Sequence, residues 1–139
     1  MEIKKGLLEK AVAAQKNAYA PYSGYKVGAA VLSESGNIYA SCNVENVSFP
    51  CGTCAEAGAI AAMIAAGERK IVALLVVAAG EKTSGEDLVR PCGACLQRIA
   101  EFADKDTPVY LADIGGIKEE YLLRELLPQG FKAALKKEK

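Results

Sequence analysis

Four of the five cysteines fall in two Cys-x-x-Cys pairs. Each pair follows a proline, in Pro50-Cys51-Gly52-Thr53-Cys54 and Pro91-Cys92-Gly93-Ala94-Cys95. Thiolates at this spacing are soft ligands suited to zinc, and two such pairs read as one metal site. Four thiolates would close the site as a structural one, whereas a catalytic zinc keeps three protein ligands and a fourth position for water. The chain has no histidine. A Ser-His-Asp triad, a Cys-His pair, an imidazole base and any His-ligated metal are therefore excluded. Glu56, two residues past Cys54, brings a carboxylate to the cluster. It has two readings: the closing residue of a Thr53-x-x-Glu56 capping box, or a general acid–base beside the metal's water position. Without its surroundings the cap is the preferred reading; between a thiolate ligand and a zinc-bound water, we adopt the second.

The elements that must position these groups follow from periodicity. Leu7, Leu8, Ala11, Val12 and Ala14 form one stripe of a helix running from Ile3 to about Asn17. Val27 to Leu32 and Ile38 to Cys42 predict two strands, joined by hairpin-type Glu34-Ser35-Gly36-Asn37. Cys54 to Gly67 predicts a buried helix ending on a glycine, and the apolar run Ile71 to Ala79 a central strand covered on both faces. Gly80 to Arg90 reads as a polar loop. A helix then starts near Pro91-Cys92, where proline's missing N–H costs little. Pro108 to Ala112 predicts a strand and Glu119 to Leu127 a last helix, with residues 132–139 expected to be a mobile tail. The alternation argues for one α/β domain over residues 1–139.

Composition narrows the classes. Seventeen basic residues balance seventeen acidic ones, so there is no overall charge with which to grip a nucleic-acid backbone, and no nucleic-acid partner is expected. Five cysteines cannot all pair within one chain. Met1-Glu2-Ile3-Lys4-Lys5 runs into a helical pattern rather than an apolar secretory segment. The longest charge-free apolar helix candidate, Ala57 to Gly67, is far short of the roughly 20 residues that span a bilayer. These features lead to the expectation of a cytoplasmic protein with no membrane partner.

Cys54-Ala55-Glu56 followed by Pro91-Cys92-Gly93-Ala94-Cys95 is a Cys-x-Glu…Pro-Cys-x-x-Cys pattern, that of the zinc deaminases. Together with Tyr19-Ala20-Pro21-Tyr22-Ser23, Val27-Gly28-Ala29-Ala30, Cys42-Asn43-Val44-Glu45-Asn46 and Glu125-Leu126-Leu127-Pro128, it resembles the small, homotetrameric, three-cysteine cytidine deaminases over nearly the whole chain. The resemblance implies a three-layer α/β/α fold with a mixed sheet of about five strands flanked by helices. It implies one zinc per subunit on Cys54, Cys92 and Cys95, leaving Cys51 outside the set, and Glu56 as the catalytic residue. The implied reaction is hydrolysis of free cytidine and deoxycytidine to uridine and deoxyuridine. Water adds at C4, and Glu56 takes a proton from it, passes that proton to N3, and then protonates the departing amine.

The same resemblance implies a substrate pocket. Asn43 and Glu45, on one side of an extended segment, would bind ribose hydroxyls, with Tyr25 and Ala55 also on the nucleoside. Tyr25 reads equally well as a core aromatic. Phe49 and Phe131 would reach a neighbouring subunit's pocket, Phe131 by stacking on the pyrimidine. Tyr19, Tyr22 and the stripe Ala59, Ala62 and Ala66 read as packing, Gln97 and Glu101 as structural, and Val27-Gly28-Ala29-Ala30 as a tight strand contact near the pocket.

The chain departs from its relatives at Ala57-Gly58 and at Leu96, where they often carry arginine beside the cysteine sulfurs. Helix dipoles, Arg90 or Arg98 are the available substitutes, and the sequence leaves the choice among them open. Two competing functions remain: a deaminase or amidohydrolase of N4-modified cytidines or a cytosine-bearing antibiotic, and a structural four-cysteine zinc module.

Overall fold

A computed structural model describes residues 2–79, 88–133 and 135. Its element order is α1 (Glu2–Gln15), β1 (Lys26–Ser33), β2 (Ile38–Cys42), a 3-10 turn (Phe49–Cys51), α2 (Ala55–Ala65), β3 (Ile71–Ala79), α3 (Gly93–Phe102), β4 (Pro108–Asp113), β5 (Gly116–Leu122) and α4 (Leu123–Leu126). The strands form one mixed sheet in the order β2-β1-β3-β4-β5. Among the described residues, only the β3–β4 strand pair is parallel, with α3 in the connection between them. Among the described residues no helix is long and apolar enough to cross a membrane.

Strand alternation divides the core into two layers. Ala29, Val31, Leu74, Val76, Val109 and Leu111 pack with Ala55, Ala59, Ile60 and Met63 of α2 and with Leu96 and Ile99 of α3. Ala30, Leu32, Ala73, Leu75, Val77, Tyr110 and Ala112 pack with Leu7 and Ala11 of α1 on the opposite face. The result is the three-layer α/β/α arrangement, with β3 covered on both faces. Gly28 is the tight strand contact: a Cβ there would lie 2.9 Å from Gln15 Cβ, so only glycine lets α1 sit this close to β1. Gly67, at φ +94°, ends α2 in the left-handed region.

One element differs in type from its sequence reading. The helix expected over Glu119–Leu127 is the edge strand β5 followed by the single turn α4. Gly116, at φ +135°, turns the chain back after β4, and β5 pairs antiparallel with it from Gly116 to Leu122. Lys118, Glu119 and Glu120 are good helix formers, but an edge strand with an open face accepts the same charges. Of the polar loop expected over Gly80–Arg90, residues 80–87 lie outside the described residues. So do 134 and 136–139 of the expected tail.

Candidate metal and substrate site

Each cysteine of the cluster sits at a helix start. Cys54 is the N-cap of α2 and Cys92 the N-cap of α3, both in extended conformation, and Cys95 lies in the first turn of α3. The two N-termini therefore converge, and their unpaired N–H groups favour negative charge on sulfur. The Cys95 and Ala94 N–H groups bond Cys92 sulfur and hold its pKa down. Burial pushes Cys95, 1% exposed, up to about 12, with the Glu56 and Cys54 charges adding to the rise. A buried thiol facing two such neighbours calls for a cation.

The three Sγ atoms lie within 4.8 Å of one another. A tetrahedral zinc with Zn–S of about 2.3 Å needs sulfurs roughly 3.8 Å apart, so the donor set fits one zinc ion with small closure. Cys51 is exposed, its sulfur donating to Ser48 Oγ at 3.6 Å, and is not part of the group. The four-thiolate arrangement is thus not what these residues build.

Glu56 is 5% exposed, and burial raises its pKa, opposed by its own backbone N–H and by the Arg98 charge. The capping-box alternative does not form. Cys54, not Thr53, is the N-cap, and no side-chain cap bond is present. Thr53 instead pairs with Val44 through backbone bonds of 3.0 and 2.9 Å. Tyr19 flanks the same segment: its N–H donates to Asn43 O (3.1 Å) and its carbonyl accepts from Glu45 N (2.8 Å). This three-ply ribbon fixes Asn43 and Glu45 against the start of α2.

A cavity of about 620 Å³ opens there. Asn43, Glu45, Phe49, Cys54, Ala55, Glu56 and Cys92 all line it, so most of the expected site residues meet in one place. Tyr25 and Phe131 are not among the lining residues. Tyr25 is half-buried, and its backbone is clamped, receiving from Asn43 Nδ2 at 2.9 Å and donating to Ser23 Oγ at 3.0 Å. Phe131, 76% exposed, stands in a separate groove beside α3, where Gln97 pins it by bonds of 2.9 and 3.2 Å to its N–H and carbonyl. That is the structural role expected of Gln97.

Two polar contacts were not legible in the sequence. Asn43 directs its amide at the protein itself, accepting from Val27 N–H at 2.9 Å as well as donating to Tyr25. Glu45 Oε1 accepts from the N–H groups of Tyr22 and Ser23 (2.9 and 3.2 Å), and Oε2 from Ser23 Oγ (2.5 Å). The Ser23 hydroxyl is the main cause that lowers the Glu45 pKa. Tyr19 and Tyr22, expected to pack, are both exposed; Tyr22 lines the cavity, edge-on to Phe49 at 6.2 Å. Neither Ala57 nor Gly58 lines the cavity. Gly58 faces Ser41 of β2, and a Cβ there would lie 2.8 Å from Ser41 Cβ and closer still to its hydroxyl.

Comparison with known proteins agrees with this arrangement. Residues 1–111 match the family described as the cytidine and deoxycytidylate deaminase zinc-binding region. A cytidine deaminase of Sporosarcina psychrophila is 43% identical over 131 residues, covering 94% of this chain and 92% of that protein. One from Halalkalibacterium halodurans is 40% identical over 127 residues, 91% of this chain and 92% of its own length. The crystal structure of cytidine deaminase from Burkholderia pseudomallei superposes with a TM-score of 0.80 at 38% identity, covering 91% of this chain and 98% of that one. By sequence, by fold and by the three convergent cysteines, this chain belongs to the cytidine and deoxycytidylate deaminase family.

Proposed function

We propose that the chain is a zinc-dependent hydrolase that converts free cytidine and deoxycytidine to uridine and deoxyuridine, releasing ammonia. The observation that carries this is the buried Glu56 beside three convergent thiols, on the wall of a cavity that also presents Glu45. Cys54, Cys92 and Cys95 would hold the zinc. When bound, the metal supplies a Lewis-acid centre that lowers the pKa of water and makes a nucleophile available at neutral pH. Glu56 does the proton work. Its carboxylate takes one proton from the water as the oxygen bonds to C4 and delivers it to N3; it then takes the remaining proton of the C4 hydroxyl and gives it to the amine as the C4–N bond breaks. A burial-raised pKa suits a group that must both take and give a proton. Glu45, ionised and fixed by Ser23, accepts from a sugar hydroxyl, while Ala55 and the cavity walls exclude water from the base.

Asn43 contributes chiefly by tying the start of β1 to the ribbon, which keeps its own side chain at the cavity. Alanine and glycine in place of a bulky arginine would make room for an N4 substituent only if they lined the cavity; neither does, which supports cytidine over N4-modified analogues. The reading extends to one deaminase domain across the chain, working in pyrimidine salvage in the cytoplasm as a homotetramer in which Phe131 closes a neighbouring pocket, while Phe49, expected to reach across as well, lines the cavity of its own chain.

Ultraviolet absorbance with cytidine tests the activity directly. Wild type is expected to turn over and Glu56→Gln to lose about a hundredfold or more, the usual size of an acid–base contribution, with zinc content unchanged. Cys51→Ala should keep both zinc and activity. A wild type that carries zinc but leaves cytidine unchanged would overturn the substrate assignment, and zinc loss in Cys51→Ala would restore the four-cysteine module.

A further inference from the structure

The thiolate cluster poses a charge problem that the metal alone does not solve. Three thiolates and a zinc ion leave one net negative charge, and ionised Glu56 makes two, with Cys95 and Glu56 both buried. Charge at such depth is stable only when paired and hydrogen-bonded. The N-termini of α2 and α3 supply partial positive charge, but a formal cation is needed as well.

The arginines nearest in sequence to the second cysteine pair are Arg90 and Arg98. Arg90 is committed elsewhere. Its Nη2 bonds Glu119 Oε1 at 2.8 Å and the Tyr121 hydroxyl at 3.2 Å, with the guanidinium 5.7 Å from the Tyr121 ring centroid. Arg98 lies one helical turn beyond Cys95, and its Nη1 donates to Cys95 Sγ at 3.5 Å. The i, i+3 spacing on α3 puts the two side chains on one face. Arg98 is exposed overall, so its charge reaches a buried sulfur without the cost of full desolvation.

We propose that Arg98 is the cation that balances the thiolate cluster, donating to the Cys95 sulfur from one turn away and so setting how strongly the metal centre withdraws electrons. This rests on the zinc-deaminase reading. Arg98 acts through sulfur and not on substrate, so it is a positioning residue. A hydrogen-bonded, partly neutralised thiolate gives less electron density to its metal. The metal then polarises water more strongly, as groups outside the ligand shell commonly arrange.

Cobalt(II) in place of zinc reports this without catalysis, through the thiolate-to-cobalt charge-transfer absorption. Losing the Arg98 bond raises the energy of the sulfur electrons and moves that band to longer wavelength. Arg98→Met and Arg98→Gln are both expected to show the shift, and Arg98→Lys, which restores the charge without the fork, to lie between them and wild type. On cytidine the uncharged variants should lose about ten- to a hundredfold in kcat, the range typical of such outer partners, with KM within about twofold. Using two uncharged variants keeps the test available if one fails to fold. An unshifted band in a folded, cobalt-loaded uncharged variant overturns the inference and leaves the deaminase reading intact. A wild type with sulfur-bound cobalt, but with no action on cytidine in its zinc form, overturns that reading instead.

Discussion

At the scale of single residues, the cavity is organised by carboxylates in opposite surroundings. Glu56 is buried and raised, suited to proton transfer; Glu45 is only half-buried and lowered, suited to remain a fixed anion. Ser23 is what fixes it. Its hydroxyl and N–H, with the Tyr22 N–H, occupy both Glu45 oxygens and orient the remaining lone pairs. Removing the hydroxyl in Ser23→Ala should therefore raise KM for cytidine about three- to tenfold and leave kcat nearly unchanged, because the contact is remote from C4. Glu45→Gln should raise KM further, since an amide oxygen accepts less strongly than a carboxylate. Steady-state kinetics with cytidine and its 3′-deoxy analogue test the assignment: the analogue should show little additional loss in either variant. Equal penalties on both nucleosides would remove Glu45 from the sugar.

At the scale of elements, catalysis depends on how closely α2 lies on the sheet. Gly58 allows this approach, because Ser41 of β2 occupies the place a Cβ would need. Alanine in a helix interior normally gains about 1 kcal/mol over glycine, but overpacking costs about 1–3 kcal/mol, and at 2.8 Å from another carbon the overpacking dominates. Gly58→Ala is expected to lower the melting temperature by several degrees and to reduce kcat, since the same helix carries Glu56 and is capped by Cys54. Adding Ser41→Gly should recover part of both losses, giving a coupling of about 1 kcal/mol or more in a thermal double-mutant cycle; strict additivity would place the strain elsewhere. Much of this scale was legible in the sequence. Apolar runs marked β1 to β4, and the two cysteine motifs marked the starts of α2 and α3, because hydrophobic period and helix-start chemistry are local signals. What was lost depended on tertiary partners. Lys118-Glu119-Glu120 carries a helix-forming composition that pairing with β4 overrides. The choice of Arg98 over Arg90 likewise depended on Glu119 and Tyr121, which come from β5, the strand mistaken for a helix.

At the scale of the molecule, two exposed phenylalanines sit in different places. Phe49 lines the cavity mouth while remaining 76% exposed, and Phe131 is equally exposed in the groove beside α3, away from the cavity of its own chain. Leaving two phenylalanines in water forgoes roughly 1.5–3 kcal/mol of burial each, and a cyclic assembly recovers it when each chain offers its aromatic to the next. Gln97 strengthens that reading, since its two hydrogen bonds fix the Phe131 backbone, and with it the point from which the ring projects. Base stacking is worth about 1–3 kcal/mol, and 1.4 kcal/mol is tenfold. Phe131→Ala should therefore lower kcat/KM for cytidine about tenfold or more, with zinc content unchanged. Complementation then tests whether the ring acts across chains. Glu56→Gln retains Phe131 and Phe131→Ala retains Glu56, so co-expressed chains should form mixed assemblies in which some pockets hold both intact groups. Their activity per Glu56 is expected to exceed that of Phe131→Ala alone, and sedimentation should find the activity in a tetramer. No gain on mixing, or a fully active monomer, would confine each pocket to its own chain.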